Sequence, residues 1–257
     1  MSVWDDYQTR IDALGGTEAN HFKQRADYMI NRYLPRNLSY TTALIDGNEQ
    51  SVAIINSDNL NEKTILSLPG EDLHCGSLIQ WMDNYWILNE LDANKTLYAH
   101  GKLLQCNYLL KWVTDDNEIH EEHVNVEDGT KYMVGEFEDK DFATTRPDSR
   151  IMITMQRNEY TVKLSRSNRF LIDDPLSDKK MAYILTKPLK AGMVYNGEGV
   201  FKFICQEVTA TDDDNFDLMI ADYWKHFKKD ANGSGGESSG TDSSDENNTI
   251  GDGGGWL

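Results

Sequence analysis

The chain has 257 residues, with 43 acidic against 25 basic side chains, a formal net charge of -18 and 39% hydrophobic residues. That length accommodates one large domain or two small ones with a substantial core. The charge disfavours non-specific nucleic-acid binding, which needs clustered Lys and Arg, and points to basic protein partners.

The first elements are helical. Between Ser2 and Leu14, the residues Val3, Trp4, Tyr7, Ile11 and Leu14 share one helical face, and Gly15-Gly16 supplies a stop. Thr17 caps a second helix with Phe22, Ala26, Met29, Ile30 and Tyr33 as its apolar stripe, ended by Pro35. Residues 1–35 are therefore expected to form an αα-hairpin. Helices this short are marginal alone, so the stripe must pack on the body or on a neighbouring subunit.

From Thr41 the apolar period changes to two. Ala43–Asp46, a turn at Asp46-Gly47 and Ser51–Asn56 form an expected hairpin. Thr64–Leu68 follows, broken by Pro69-Gly70-Glu71-Asp72. Ser77–Trp81, a tight turn at Met82-Asp83-Asn84, and Tyr85–Leu88 come next. After Asp92-Ala93-Asn94-Lys95 the chain enters a long run, Leu97 to Val113, in which Leu104, Cys106, Tyr108, Leu110 and Trp112 share one face. Gln105, Asn107 and Lys111 take the other, the mark of a half-buried strand. Glu118–Val126 alternates weakly, and Glu127-Asp128-Gly129 turns it into Lys131–Val134.

Residues 135–149 are polar and contain Pro147, which suggests a boundary. The expected modules are thus residues 41–134 and 150–228. The second holds Ile151–Met155, Val162–Leu164, Arg169–Ile172, Ala182–Thr186 and Val200–Val208. Leu218, Ile220, Tyr223, Trp224 and Phe227 fit a short helix or a closing strand. The fold class is mainly β, antiparallel barrel or sandwich modules with the helical hairpin in front.

Residues 229–257 form a low-complexity tail rich in Gly, Ser and acids, expected to be disordered. It ends in Trp256-Leu257, which break that composition as a candidate anchor. The start shows no basic region followed by an apolar stretch, and no run approaches the ~20 apolar residues of a membrane helix. Synthesis in a reducing cytoplasm and no membrane association are expected. Cys75, Cys106 and Cys205 lack metal-like spacing and read as buried free thiols.

Chemistry-bearing patterns are present but incomplete. Gly236-Glu237-Ser238-Ser239-Gly240 matches a nucleophile elbow, yet lacks the strand-to-helix turn that exposes such a serine. His120-Glu121-Glu122-His123 places its histidines at i and i+3, and on a strand they point to opposite faces. His74-Cys75 offers a metal-binding pair or a dyad with a distant partner, but a lone pair next to a turn reads as structural. Asp212-Asp213-Asp214-Asn215 with Asp217 departs from a calcium loop, which needs glycine at its sixth position and glutamate at its twelfth. Pairs such as Asp115/Asp116 and Asp173/Asp174 are expected by composition in so acidic a chain. No catalytic, cofactor-binding or metal site is expected, and the chain is not read as an enzyme.

The run Asn61-Glu62-Lys63-Thr64 through Leu68-Pro69-Gly70-Glu71, the pair Trp81/Trp86 about a tight turn, and Gln105-Cys106-Asn107 carry a resemblance. So do Tyr183-Ile184-Leu185-Thr186-Lys187-Pro188 and Tyr195-Asn196-Gly197-Glu198-Gly199. They resemble structural proteins from the late gene clusters of tailed bacteriophages and prophages of Clostridia-like hosts. The strand, turn, Tyr-Trp, strand pattern is also similar to head-closure and head–tail adaptor proteins, small β-barrels that form rings beneath the portal. The chain is longer than those adaptors and adds the hairpin and a second β module.

The resemblance implies a virion protein at the head–tail junction, a homo-oligomeric ring touching portal and tail proteins. Expected partner contacts are Trp4, Tyr7, Trp81, Trp86, Trp256 and Leu257, with strand edges and the helical hairpin as surfaces. The alternative is another tail component, or a monomeric carbohydrate-binding or host-recognition β-sandwich with exposed Trp81, Trp86 or Trp112 as its stacking platform.

Overall fold

The structure is a computed structural model that describes residues 2–13, 16–129, 149–174, 176–177 and 180–227. The chain is mainly β, with a helix hairpin at its N-terminus, as the change of apolar period at Thr41 predicts. Helix α1 spans Val3–Ala13 and α2 spans Glu18–Tyr33. Thr17 is extended, and its hydroxyl accepts the Asn20 N–H at 3.2 Å, which fixes the start of α2. A 3-10 turn at Leu34–Arg36, built around Pro35, leads out of it. The expected stop at Leu14 and Gly15 lies outside the described residues.

Strands β1 (Tyr40–Ile45), β2 (Asn48–Asn56), β3 (Glu62–Ser67), β4 (Leu78–Trp81), β5 (Asn84–Leu91) and β6 (His100–Gln105) form a closed barrel in the order β1-β2-β3-β6-β5-β4. Two-residue turns make the tightest corners. Asp46 and Gly47 have φ of 49° and 81°, and Met82 and Asp83 have 48° and 59°, the twist that suits flanking strands. Leu44 and Ile45 pair with Gln80 and Ile79 to close the cylinder. Ile45, Val52, Ile54, Ile65, Ile79, Leu88 and Leu103 fill it, joined by Trp86.

Strands β7 (Tyr108–Val113), β8 (Ile119–Asp128), β9 (Arg150–Gln156), β10 (Arg169–Leu171), β11 (Ala182–Leu189), β12 (Val194–Tyr195) and β13 (Glu198–Val208) make the second sheet. Its order is β10-β11-β13-β9-β8-β7, with β12 paired to β13. The sheet curls until its edges, β7 and β10, lie in contact. The Tyr108 side chain helps to bridge that seam. The Tyr108 hydroxyl lies 3.3 Å from the Leu171 carbonyl and 3.4 Å from that of Asp173, and accepts the Asp173 N–H at 3.4 Å. Leu110, Trp112, Ile153, Met155, Phe170, Phe203 and Cys205 form the core inside.

Three expectations are corrected here. First, β7 and β8 belong to the second sheet, so the division between the β units falls at Cys106-Asn107 and not at residues 135–149. Residues 130–148, with the strand expected at Lys131–Val134, lie outside the described residues. The long run from Leu97 is therefore two strands. The Asn107 side chain performs the switch, donating to the Val126 carbonyl and accepting the Val126 N–H, both at 2.8 Å. Second, Cys106 is only half-buried and stands apart from Leu110 and Trp112, whose side chains are in the second core. Third, Val162–Leu164 is not a strand. The Asn158 carboxamide oxygen takes the N–H groups of Tyr160 and Thr161 at 3.0 and 2.8 Å, which turns the backbone, and Leu164 plugs the core from that turn. At the C-terminal end, Tyr223–His226 forms a short helix, α3.

The two sheets meet closely at two glycines. Gly76 (φ 91°) and Gly199 (φ 148°) both have left-handed backbones, and a Cβ on Gly76 would stand 2.0 Å from the Gly199 carbonyl oxygen. Gly76→Ala is expected to strain the backbone and push the turn before β4 off the β12–β13 hairpin. A melting temperature lowered by about 10 °C or more is the expected outcome in a thermal scan, from the combined cost of strain and clash at ~4 °C per kcal/mol or less. An unchanged melting temperature would show that the two backbones do not touch.

Candidate functional site

The motifs that suggested chemistry resolve into structural contacts. His120 and His123 point to opposite faces of β8. His120 stacks on Tyr160 at 4.0 Å and its Nε2 lies 3.1 Å from Glu122 Oε2, a carboxylate also held by Asn158 Nδ2 at 2.7 Å. His123 stacks on Tyr85 of the first barrel, ring centroids 3.5 Å apart and planes 11° from parallel. Burial holds the His123 pKa below its usual 6.5, with Glu122 and Glu121 pulling weakly the other way. A depressed histidine stabilises the fold above about pH 6.5, and that contribution is lost as pH falls through the lowered value. The junction should therefore loosen on mild acidification, and His123→Phe should flatten that part of the pH–stability curve; an identical slope in both proteins would contradict it.

His74 Nδ1 contacts Glu198 Oε2 at 2.7 Å, joining the first barrel to the β12–β13 hairpin. The Cys75 thiol points to the Leu88 and Asn89 carbonyls at 3.7 and 3.6 Å. Its pKa is raised by burial, then by Glu198 and Glu90. Burial pushes Cys106 and Cys205 up to about 12, with Glu122 adding to the effect at Cys106. Thiolate chemistry needs the opposite shift, so none of the three is activated. Among the described residues, no cluster of three or more His, Cys, Asp or Glu side chains is arranged to hold a metal ion.

The acidic Asp212–Asp217 segment serves the fold. Asp214, buried, receives Arg169 through both carboxylate oxygens at 3.0 and 2.9 Å and the N–H groups of Thr211 and Asp222 at 2.7 and 2.8 Å. Asp222 Oδ1 takes the same guanidinium at 2.6 Å. Its oxygens are committed to the protein itself.

The tryptophans of the expected contact set divide. Trp86 is 3% exposed and Trp112 is 4% exposed, both core residues. Trp81 is half-buried and packs on Trp86, ring centroids 6.2 Å apart. Trp86 therefore leaves the set of surface contacts, because the barrel interior takes its indole. Trp256 and Leu257 lie outside the described residues.

The helical hairpin behaves differently. Neither α1 nor α2 buries a single described residue. Val3 and Trp4 are 86% and 75% exposed, and Tyr7, Phe22, Tyr28, Met29 and Tyr33 are exposed as well. Trp4 and Tyr7 contact edge to face at 5.9 Å. On α2, Arg32 Nη1 donates to the Tyr28 hydroxyl at 2.9 Å, and its guanidinium lies 5.8 and 5.7 Å from the Tyr28 and Tyr33 rings. Trp, Tyr and Arg are the residues that dominate interface energies, and here the rings of Trp4, Tyr7, Tyr28 and Tyr33 are exposed and partly pre-ordered. The apolar period predicts Trp4, Tyr7, Phe22 and Tyr33 but passes over Tyr28 and Arg32, whose i, i+4 spacing is the signal that would have found them.

Phe22, Lys23 and Ala26 of α2 face Leu97 and Tyr98 of the first barrel across an open cavity, whereas Trp4 and Tyr7 of α1 are 75% and 54% exposed. Trp4→Ser with Tyr7→Ser is therefore expected to change the folding free energy by less than ~0.5 kcal/mol, as surface substitutions do. Chemical denaturation checks this, and a loss of ~2 kcal/mol would place the arm against the body.

Comparison of the chain with protein-family models, curated proteins and solved structures finds no match.

Proposed function

We propose that this chain is a non-enzymatic structural protein of a tailed-phage virion, forming a homo-oligomeric ring at the head–tail junction between portal and tail proteins. The observation that carries the proposal is the exposed aromatic surface of the helical arm, on which Trp4, Tyr7, Tyr28 and Tyr33 are each at least 50% exposed among the described residues. Apolar faces of this kind on a folded chain mark contact sites. The barrels supply rigid blocks for such a role. Closure removes the edges of the first, and the edges of the second face each other across the Tyr108 seam, so strand addition is disfavoured and helix or loop contacts are left to do the joining. This replaces the strand edges as candidate surfaces. A carbohydrate platform has less support, since Trp86 and Trp112 are in the cores.

The test is genetic. Inducing the phage or prophage that encodes the chain, with its gene deleted, is expected to give filled heads and separate tails that do not join. Expression in trans should restore whole particles. Normal joined particles from the deletion would overturn the proposal.

A further inference from the structure

The second sheet carries a groove with an apolar floor, lined also by Glu207 and Lys180 and with further carboxylates close by in the chain. Met181, Val208, Ala210 and Phe216 line about 640 Å³ of open space between the start of β11 and the segment after β13. Met181 is 47% exposed and Phe216 40% exposed, so the floor faces solvent. Glu207 lines it too. Asp173 lies beside Met181, whose N–H it accepts at 3.0 Å, and Asp217 follows Phe216 in the chain. None of these three carboxylates has an ion-pair partner among the described residues. Lys180 also borders the groove, its ammonium donating to the Asp174 carbonyl at 3.1 Å.

The arm has the complementary character. Residues 18–36 contain four basic and two acidic side chains, in a chain that elsewhere has 21 basic and 41 acidic. Arg32 is held between Tyr28 and Tyr33 on that helix. If about half of the ~150–250 Å² of each exposed ring is free, Phe22, Tyr28 and Tyr33 of α2 offer on the order of 300 Å². That is about a third of the ~800 Å² per partner in a stable interface, to which Met29 and Arg32 add.

We infer that the α2 arm of one copy lies in the Met181–Phe216 groove of the next, with Met29 and Tyr33 on the apolar floor and Arg32 facing Glu207. The inference rests on the ring assembly proposed above and names its contact. Arm and groove are different surfaces of one chain, so the contact is heterologous and adds subunits head to tail until it closes. A polyanion such as DNA fits the same arginine but meets the strongly negative field of the rest of the chain.

Sedimentation velocity on the full-length chain, across a concentration series, tests the contact. The wild type is expected to associate, and Arg32→Glu and Glu207→Lys are each expected to weaken association at least tenfold. The Arg32→Glu, Glu207→Lys double variant should regain it. Mixing the two single variants should also restore association, since each arm then meets a groove of opposite charge on the other variant. Circular dichroism of each variant separates lost association from lost folding. Association that survives Arg32→Glu together with Tyr33→Ala overturns the arm contact and leaves the ring itself standing. A loss on Arg32→Glu with no effect of Glu207→Lys overturns the groove in favour of an arm-to-arm contact. A wild type that is monomeric throughout but binds duplex DNA through Arg32 overturns the second copy as occupant.

Discussion

Trp112→Ala is expected to destabilise the protein by ~3–5 kcal/mol, the range for emptying an aromatic site in a packed core. The indole is almost fully buried on β7. It meets His120 at 4.6 Å and Phe170 at 6.4 Å, both edge-on. Because β7 is an edge strand held to β10 by a side chain, the wall around the lost ring has little to collapse onto. Domains of this kind carry about 5–15 kcal/mol in total, so the substitution removes a large part of the margin. Denaturant unfolding reads the effect directly. An unchanged midpoint would mean that the ring faces solvent, and would revive a stacking platform.

Asp214→Ala is expected to cost a similar ~3–5 kcal/mol, for a different reason. It leaves the Arg169 guanidinium, 10% exposed, with Asp222 as its remaining carboxylate, and a buried charge stripped of a partner is expensive. The pH dependence follows from the same geometry. Burial alone would raise the Asp214 pKa, but the Thr211 and Asp222 N–H groups and Arg169 outweigh it and hold the carboxyl below its usual 3.8. A depressed carboxyl stabilises the fold above about pH 4, and that stability is lost as pH falls through the lowered value. Asp214→Asn should therefore unfold more easily at neutral pH and show a shallower acid limb than the wild type. Equal acid limbs would show that the pair adds nothing specific. Replacing Arg169 and Asp214 together by Met and Leu should cost much less than either single change, because no charge is then left buried.

The β class and the helix hairpin are legible in the sequence because period is a local property. The helical stripe ending at Tyr33 and the alternation from Thr41 record which backbone each segment adopts. Which sheet a strand joins is not local. The alternation of Leu104 to Trp112 runs unbroken through Cys106-Asn107, since an extended chain keeps its two-residue period while passing from one barrel to the next. The pairing of Asn107 with Val126 that marks the switch joins residues 19 apart. Trp81 and Trp86 show the same limit. Both sit in strong strands about one turn, yet only Trp86 points fully inward, which depends on closure of the barrel by β1, far from either in sequence. Val162–Leu164 has strand-like residues but obeys the Asn158 turn.

The candidate surface divides in the same way. Trp4, Tyr7, Phe22 and Tyr33 follow from helical spacing alone, whereas the groove gathers Met181, Glu207 and Phe216 from separate elements and leaves no pattern to find. The acidic run at Asp212–Asp217 looks like a cation loop in sequence. Its central carboxylate is instead taken by Arg169, 45 residues away, because a buried guanidinium demands it.

Cryo-electron microscopy of the purified particle, with the chain identified by mass spectrometry of the same sample, tests the central claim most directly. A closed ring of this chain between portal and tail is expected, its paired β units forming the wall and each helical arm lying on the neighbouring subunit. Particles that contain no copies of the chain, or that carry it as separate monomers away from the junction, would contradict it.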